Sequence, residues 1–193
     1  MSDDNIIETT ENGRYRVRLA IDEGTENPRR DYDHITHVIT PTQQRYIDVD
    51  PDGGPLQYGW DYYSVRALDC VRKGAEDLFI RWAKIYYGAV VVEHRPVEGA
   101  WSFWYMTPEQ IAEIGNTPAE AIAAEIQEYQ AWGEGDVYGL IVERAIHWKR
   151  ADDPDSDDSM TTWEEVASCW GLIGREYAEE EARQQLDTYK NEE

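Results

Sequence analysis

The residues with the clearest capacity for chemistry lie in two aspartate-rich segments whose spacing approaches that of a calcium-binding loop. Counted from Asp153, carboxylates occupy positions 1, 3 and 5 and Glu164 occupies position 12, but Asp158 stands at position 6, where the sharp turn needs glycine. Residues 48–54 have the Asp-x-Asp-x-Asp-Gly start, but Gly59 replaces the bidentate glutamate at position 12. Each segment carries half of a calcium motif, and an ordinary acidic loop is the alternative interpretation of both.

A second candidate site is the histidine pair His34 and His37, which follows Asp31 and Asp33 and offers ligands for a transition metal. Residues three apart share a face on a helix, but the β-branched residues around this pair favour a strand, on which the two rings point to opposite faces. We therefore expect ordinary polar surface here. The motifs of serine hydrolases, phosphate-binding glycine loops and zinc proteases are absent from the sequence. The sequence predicts no catalytic residue and no cofactor, although a metal-dependent enzyme stays open as an alternative.

The strongest physical feature of the sequence is its charge. Forty acidic residues face eighteen lysines and arginines among 193 residues, giving a formal charge of −22. Such a chain repels phosphate backbones and anionic headgroups, which disfavours direct binding of nucleic acid or membrane. Three arginines alternate along residues 14–18 at a spacing near that of nucleic-acid phosphates, about 6.6 Å. In so acidic a chain we expect them to pair with neighbouring carboxylates instead.

Half of the excess charge lies in residues 134–193, which contain 17 acidic and 6 basic residues. It falls on the aspartate run and on the predicted last helix, where Glu176, Glu180 and Asp187 share a face and the first two are one turn apart, at about 6 Å. Carboxylates held at this spacing imitate the phosphates of a duplex and can occupy the basic groove of a DNA-binding protein. The expected partner contacts are Asp152, Asp153, Asp155, Asp157, Asp158, Glu176, Glu180 and Asp187.

Two other roles compete with this hypothesis. In the first, the charge serves only solubility, and the protein is an interaction or structural module whose contact patch is aromatic. Aromatic side chains such as Trp60, Tyr62, Tyr63, Trp101 and Trp104 could form that patch, although aromatics in strands are more often core. In the second, the protein binds calcium or another metal through the half-motifs described above.

The elements that must position these residues are strands and helices mixed without regular βαβ spacing. Strict alternation predicts a strand over residues 14–21 with Tyr15, Val17, Leu19 and Ile21 on one face. Further strands are expected at residues 37–40, 45–49, 89–95, 101–106, 137–149 and 163–171, and the apolar run 85–92 is interpreted as a buried strand. Helices are expected at residues 64–84 with a break at Gly74, after Thr107-Pro108, after Thr117-Pro118, and at residues 175–189. The predicted fold class is α+β, an antiparallel sheet with helices packed on one face.

The domain organisation follows from length and from the ends of the chain. We expect a flexible acidic tail at residues 1–12 and a single α+β domain over residues 13–193. The first residues lack a signal-peptide pattern and no window has the apolar length of a membrane span. The two cysteines, Cys70 and Cys169, are expected to be buried free thiols in a reducing cytoplasm.

Three segments resemble a family of small uncharacterised bacteriophage and prophage proteins. They are residues 27–33 (Asn-Pro-Arg-Arg-Asp-Tyr-Asp), 135–143 (Gly-Asp-Val-Tyr-Gly-Leu-Ile-Val-Glu) and 168–174 (Ser-Cys-Trp-Gly-Leu-Ile-Gly). The chain departs from the family pattern at Tyr32, at Leu172 and Ile173, and in a longer hairpin, and the likeness covers roughly residues 105–183 with a weaker part at 27–33. The resemblance implies a phage accessory protein acting in the host cytoplasm, and it implies no activity. The resulting hypothesis is a non-enzymatic protein that binds and inhibits a host DNA-binding or defence protein through an acidic, DNA-mimicking surface.

Overall fold

The computed structural model describes residues 5–31, 34–40, 52–70, 74–97, 100–114, 117–149 and 159–190. Seven strands and six α-helices lie in these ranges. In chain order they are β1 (Ile6–Thr9), β2 (Tyr15–Ile21), α1 (Pro28–Asp31), β3 (His37–Ile39), α2 (Gln57–Cys70), α3 (Ala75–Tyr87), β4 (Val90–Val97), β5 (Ala100–Met106), α4 (Pro108–Glu113), α5 (Pro118–Gly133), β6 (Val137–Lys149), β7 (Ser159–Ile173) and α6 (Arg175–Asp187).

The chain divides into two compact units, each built on its own antiparallel sheet. The terminal unit comprises Met1–Thr25 and Glu134–Glu193, and the central unit comprises Glu26–Gly133. The terminal sheet has the strand order β1-β2-β6-β7 and the central sheet the order β3-β5-β4. The predicted α+β class with antiparallel strands is confirmed, with two sheets in place of the one expected.

In the terminal unit, α6 covers one face of the sheet. Tyr15, Val17 and Leu19 of β2 are buried against this helix, as their alternation predicts. The helix contributes the buried stripe Ala178, Ala182 and Leu186, which the helical periodicity also predicts. The small alanines let the helix approach the sheet closely, so the opposite side of α6 is fixed facing outward. Ile21, expected on the inner face, lies at the end of β2 and is 64% exposed.

In the central unit, helices cover both faces of the sheet. Ile39, Phe103 and Tyr105 face α2 and α3, whereas alternate residues of the same strands, among them Val38 and Trp104, pack on α5. A strand places successive side chains on opposite faces, so this three-stranded sheet divides its apolar residues between two cores. The predicted capping box at the start of α4 is present: the Thr107 hydroxyl accepts from the Gln110 N–H and the Gln110 side chain accepts from the Thr107 N–H.

Several local predictions differ from the structure. Residues 6–9, expected in a flexible tail, form β1, because they pair with β2 in an antiparallel ladder. The apolar run 85–92 is not one strand: its first three residues end α3 and are exposed, and Gly88 stops that helix in a left-handed conformation (φ +66°) before β4 begins. The helical periodicity of residues 64–84 predicts Leu78, Phe79 and Trp82 on one face, but Leu78 is exposed whereas Phe79 is buried. The strand predicted at residues 45–49 lies outside the described residues.

The packing of α6 on the terminal sheet can be tested with Leu186→Ala. Leu186 is completely buried, so removing most of its side chain leaves a cavity and is expected to cost about 2–5 kcal/mol of the unit's free energy of unfolding. The matched control Gln184→Ala alters an exposed position of the same helix and is expected to change that free energy by less than about 0.5 kcal/mol. Urea unfolding of both variants provides the measurement, and equal stability of the two would contradict the packing described here.

Candidate functional site

The outward side of α6 carries the three predicted helix contacts. Glu176, Glu180 and Asp187 are all exposed, opposite the buried stripe of the helix. At a rise of 1.5 Å per residue they extend over about 16 Å of helix length. The structure therefore brings these three residues onto one surface, as the sequence predicts.

Ion pairs neutralise part of this surface. Glu179 accepts from Arg175 Nε at 2.9 Å and from Arg183 at 3.0 Å, and these hydrogen bonds lower the pKa of its carboxyl group. Lys190 lies 2.5 Å from Asp187 and 3.0 Å from Glu8, so Asp187 carries its own counterion. Within the described part of the chain, no such pair involves Glu176 or Glu180. These two acids, rather than all three, present uncompensated charge.

The other face of the terminal sheet contains a buried carboxylate held by two arginines. Arg16 Nε donates to Glu143 Oε2 at 2.7 Å and Arg18 Nε donates to Glu143 Oε1 at 3.0 Å. The Glu143 side chain is only 8% exposed, and the Arg16 guanidinium lies 4.1 Å from the centre of the Trp163 ring. The prediction that arginines of this strand pair with carboxylates is confirmed for Arg16 and Arg18. The geometry gives these guanidinium groups an internal role and takes them away from any phosphate ligand.

Most basic residues of the terminal unit form ion pairs within it, although among them only Arg16 and Arg18 pair with a buried carboxylate. Internal ion pairs involve six basic side chains: Arg16, Arg18, Arg144, Arg175, Arg183 and Lys190. The unit contains 23 acidic and 9 basic residues, a net charge of −14. The composition of the unit sets this net charge, and its exposed carboxylates within the described residues include Glu165, Glu176 and Glu180.

The remaining predicted contacts cannot be placed on this surface. Asp152, Asp153, Asp155, Asp157 and Asp158 lie outside the described residues, as does most of the calcium half-motif at residues 48–54. In the part of the chain that the structure describes, no group of three or more histidine, cysteine, aspartate or glutamate side chains is arranged to hold a metal ion.

The central unit contains a buried polar cluster that the sequence does not reveal. The side chain of Arg29, 3% exposed, pairs with Glu125 at 2.6 Å and donates to the Thr36 carbonyl at 2.9 Å. The Thr36 hydroxyl donates to Glu125 at 2.7 Å. The Arg29 guanidinium also lies over the Trp104 ring, with 5.3 Å between its central carbon and the ring centre. Both terminal nitrogens of Arg29 are hydrogen-bonded within this cluster, whereas its buried Nε has no hydrogen-bond partner among the described residues, and the extent of pairing is typical of a structural network.

Asp52 extends this cluster to the two histidines considered as metal ligands. Its carboxylate accepts from the Val38 N–H at 2.9 Å and lies 2.6 Å from His37 Nδ1 and 3.7 Å from His34 Nε2. His34 and His37 thus approach one carboxylate, although isolated strand geometry would separate them, because His34 precedes β3 and only His37 belongs to it. Arg29 lies 3.9 Å from the same carboxylate and would repel a cation there.

An aromatic surface lies on α2 and α3. The Trp82 ring makes ring contacts with Tyr58, Tyr63 and Tyr87 at centroid distances of 5.4, 6.0 and 4.8 Å. The exposed members of the surface, which we call the α2–α3 patch, are Tyr58, Tyr62, Leu78, Ile85, Tyr86 and Tyr87. Of the aromatic residues considered in the sequence, Trp60 and Trp104 are core, whereas Tyr62 is exposed. The patch provides an apolar contact surface.

One thiol is placed differently from the prediction. Cys169 is exposed on β7, whereas the sequence predicts a buried thiol, and β7 is the last of the described strands in its sheet. The side chain of Cys70 lies outside the described part of the chain.

Comparison with known proteins adds no further constraint. No protein-family model, curated protein or solved structure matches this chain. None of the described helices combines the length and the apolar character needed to cross a membrane.

The role of Glu143 is tested by Glu143→Gln. The neutral amide leaves two partly buried guanidinium groups without their counterion, and we expect a loss of about 3 kcal/mol in the free energy of unfolding of the terminal unit. Glu164→Gln is the matched control, because Glu164 of β7 pairs with Arg144 of β6 in the same sheet but both side chains are about half exposed. That change is expected to cost less than about 1 kcal/mol. Equal losses in urea unfolding would show that burial of the Glu143 pair is unimportant.

The pH dependence of the central unit tests the cluster at Asp52. Burial raises the pKa of this carboxyl group, but hydrogen bonds from His37 and Val38 and the charge of Arg29 outweigh burial, so its pKa lies below the usual value. A lowered folded-state pKa contributes stability at neutral pH that is lost as the pH falls through that pKa. We therefore expect the stability difference between the wild type and Asp52→Asn to be full at neutral pH and to shrink below about pH 4. Urea unfolding as a function of pH measures it, and a constant difference would be inconsistent with this linkage.

Proposed function

We propose that this protein is a non-enzymatic, phage-encoded accessory protein of the host cytoplasm. It binds and inhibits a host DNA-binding or defence protein through an acidic surface that imitates DNA. The observation that carries this proposal is that the terminal unit has a net charge of −14 and that Glu176 and Glu180, exposed on α6, have no ion pair among the described residues, whereas the neighbouring Glu179 is held by Arg175 and Arg183. The resemblance of residues 135–143 and 168–174 to phage proteins supports the phage origin.

The physical basis of the proposed binding is electrostatic complementarity. A surface with several kT of negative potential attracts a basic groove over distances comparable to the Debye length and accelerates association. The carboxylates of α6 are held on a helix anchored by three buried residues, so they are positioned before the partner arrives. Rigid presentation of charge lowers the entropic cost of binding. The same binding must weaken as salt screens the charges.

The α2–α3 patch supports a second candidate function. Tyr58, Tyr86, Tyr87, Leu78 and Ile85 are between 40% and 76% exposed, and exposed apolar clusters of this kind mark protein interaction sites. In this alternative the protein is an interaction module whose contact patch is aromatic, and its charge serves solubility. Binding through the patch would change little with salt.

The two candidates are separated by capture from a nuclease-treated bacterial lysate. The immobilised protein is incubated with the lysate at about 0.05 and 0.5 M NaCl, where the Debye length is about 14 and 4 Å, and retained proteins are eluted with duplex DNA. The acidic-surface proposal predicts strong retention only at low salt, elution by duplex DNA, and DNA-binding proteins among those eluted. The double variant Glu176→Gln/Glu180→Gln is expected to retain several-fold less of them.

The matched control is Glu76→Gln/Asp77→Asn, which removes the same charge from the start of α3 in the central unit. It is expected to retain partners like the wild type. Retention that is equal at both salt concentrations and unaffected by duplex DNA would refute the acidic-surface proposal and favour the α2–α3 patch. Loss of that retention in Tyr86→Ala would then identify the patch.

A further inference from the structure

The outer edge of β7 has no partner strand among the residues that the structure describes. β7 is the last strand in the order β1-β2-β6-β7, and it runs for 15 residues, Ser159–Ile173. Among the described strands, only β6 pairs with it. Proteins usually protect such an edge with lysine, proline or a covering element. The sequence of β7 contains no lysine, arginine or proline.

The direction of the hydrogen bonds identifies which residues present this edge. Ala145 donates its N–H to Arg14 and Val137 accepts from Asp22, so odd-numbered residues of β6 bond toward the β2 side of the sheet. Even-numbered residues therefore bond toward β7, since directions alternate along a strand. Their β7 partners, Met160, Thr162 and Glu164, face β6. The alternate residues of β7 therefore direct their backbone N–H and C=O groups away from β6, toward the outer edge of the sheet. They are Ser159, Thr161, Trp163 and Glu165.

These outward-facing residues form the longest regular part of the edge. The pairing of β7 with β6 runs without irregularity from Ser159 to Glu165 and shifts at the next residue, where a bulge interrupts it. At about 3.3 Å per residue this stretch spans about 20 Å, enough for a partner strand of ordinary length. We call residues 159–165 the β7 edge.

The side chains flanking the β7 edge differ on its two faces. On one face, Met160 lies opposite Trp148, the two being 63% and 56% exposed, and Glu164 on this face is paired with Arg144. On the other face Trp163 lies beneath Arg16, and Glu165 is exposed. An added strand would place one set of alternate side chains beside the apolar pair and the other set beside Glu165.

We propose that the β7 edge binds an extended segment of the partner protein in which basic and apolar residues alternate. The backbone of that segment would pair with the outward groups of Thr161, Trp163 and Glu165, its apolar residues would contact Met160, and its basic residues would approach Glu165. Charge complementarity selects this occupant, because the terminal unit carries −14 and the edge offers no cation of its own. A second copy of this chain would instead bring two strongly negative units together. The inference rests on the proposed function, because both require a partner protein with basic residues.

The test uses a labelled peptide of alternating lysine and valine long enough to span the edge. Thr161→Pro removes an outward N–H and no ladder hydrogen bond, and proline is tolerated at such edge positions. Thr161→Val is the matched control, since it keeps the N–H while both variants lose the hydroxyl that lies 3.0 Å from His147 Nδ1. We expect Thr161→Pro to bind the peptide at least about fivefold more weakly than Thr161→Val in fluorescence anisotropy, the equivalent of one hydrogen bond.

Amide hydrogen exchange of the wild-type protein gives an independent measurement that does not depend on the folding of a variant. Peptide binding should slow exchange at Thr161, Trp163 and Glu165, whereas Met160 and Thr162, already bonded to β6, should change little. Unchanged exchange at the three outward amides would overturn the inference.

Two further results would also overturn it. In the first, the two Thr161 variants bind the peptide equally, and a lysine–glycine peptide of the same charge binds with the same affinity. The attraction is then purely electrostatic, and the acidic-surface function stands without a role for the β7 edge. If the wild type sediments as a dimer and Thr161→Pro as a monomer, the occupant is a second copy of the chain. Failure of the proposed function gives a different result, which is lysate capture that does not respond to salt or duplex DNA.

Discussion

The buried carboxylate of Glu143, held between Arg16 and Arg18, is the interaction on which the terminal unit depends. A carboxylate that is 8% exposed is tolerated only when its charge is compensated and hydrogen-bonded, and two arginines supply both. The pair also selects the register of β2 on β6, because a shift by one residue would turn the arginines toward α6 and the apolar residues toward the other face. Core packing and ion pairing therefore demand the same alignment of these strands.

This arrangement has a consequence for the surface. Arg16 and Arg18 satisfy a buried carboxylate and are not available to neutralise exposed ones, and the unit as a whole has a net charge of −14. On α6 the contrast occurs along a single helix, where Glu179 is held by Arg175 and Arg183 while Glu176 and Glu180 carry no such partner within the described residues. The central unit has a different character, with a buried polar network around Arg29 and the exposed aromatic α2–α3 patch. Its Asp52 cluster satisfies charged groups internally, as Glu143 does in the terminal unit.

Features that depend on neighbouring residues in the chain could be predicted from the sequence. The alternation of residues 15–19 identifies β2 and its two faces, the stripe 178–182–186 identifies the buried side of α6, and Thr107 with Gln110 marks the start of α4. Predictions were poorer where a residue's environment depends on distant elements. The run 85–92 divides between a helix and a strand, residues 6–9 join a sheet, and Cys169 is exposed on a strand that pairs only with β6 among the described strands. Hydropathy alone does not distinguish these outcomes, because each is decided by which strand lies alongside.

The sequence by itself determined the total charge, the antiparallel α+β class and the outward position of Glu176, Glu180 and Asp187 on the last helix. These follow from composition and from the periods of strands and helices, which are local properties. Only the tertiary structure decided which charges are neutralised. Glu143 lies 127 residues along the chain from Arg16, with which it pairs. Asp187, which is exposed on the last helix, is paired with Lys190. The division of the strands into two sheets, and the exposed edge of β7, also belong to the tertiary structure. Ion pairs and strand edges depend on distance in space, and the folding of distant segments against one another sets that distance.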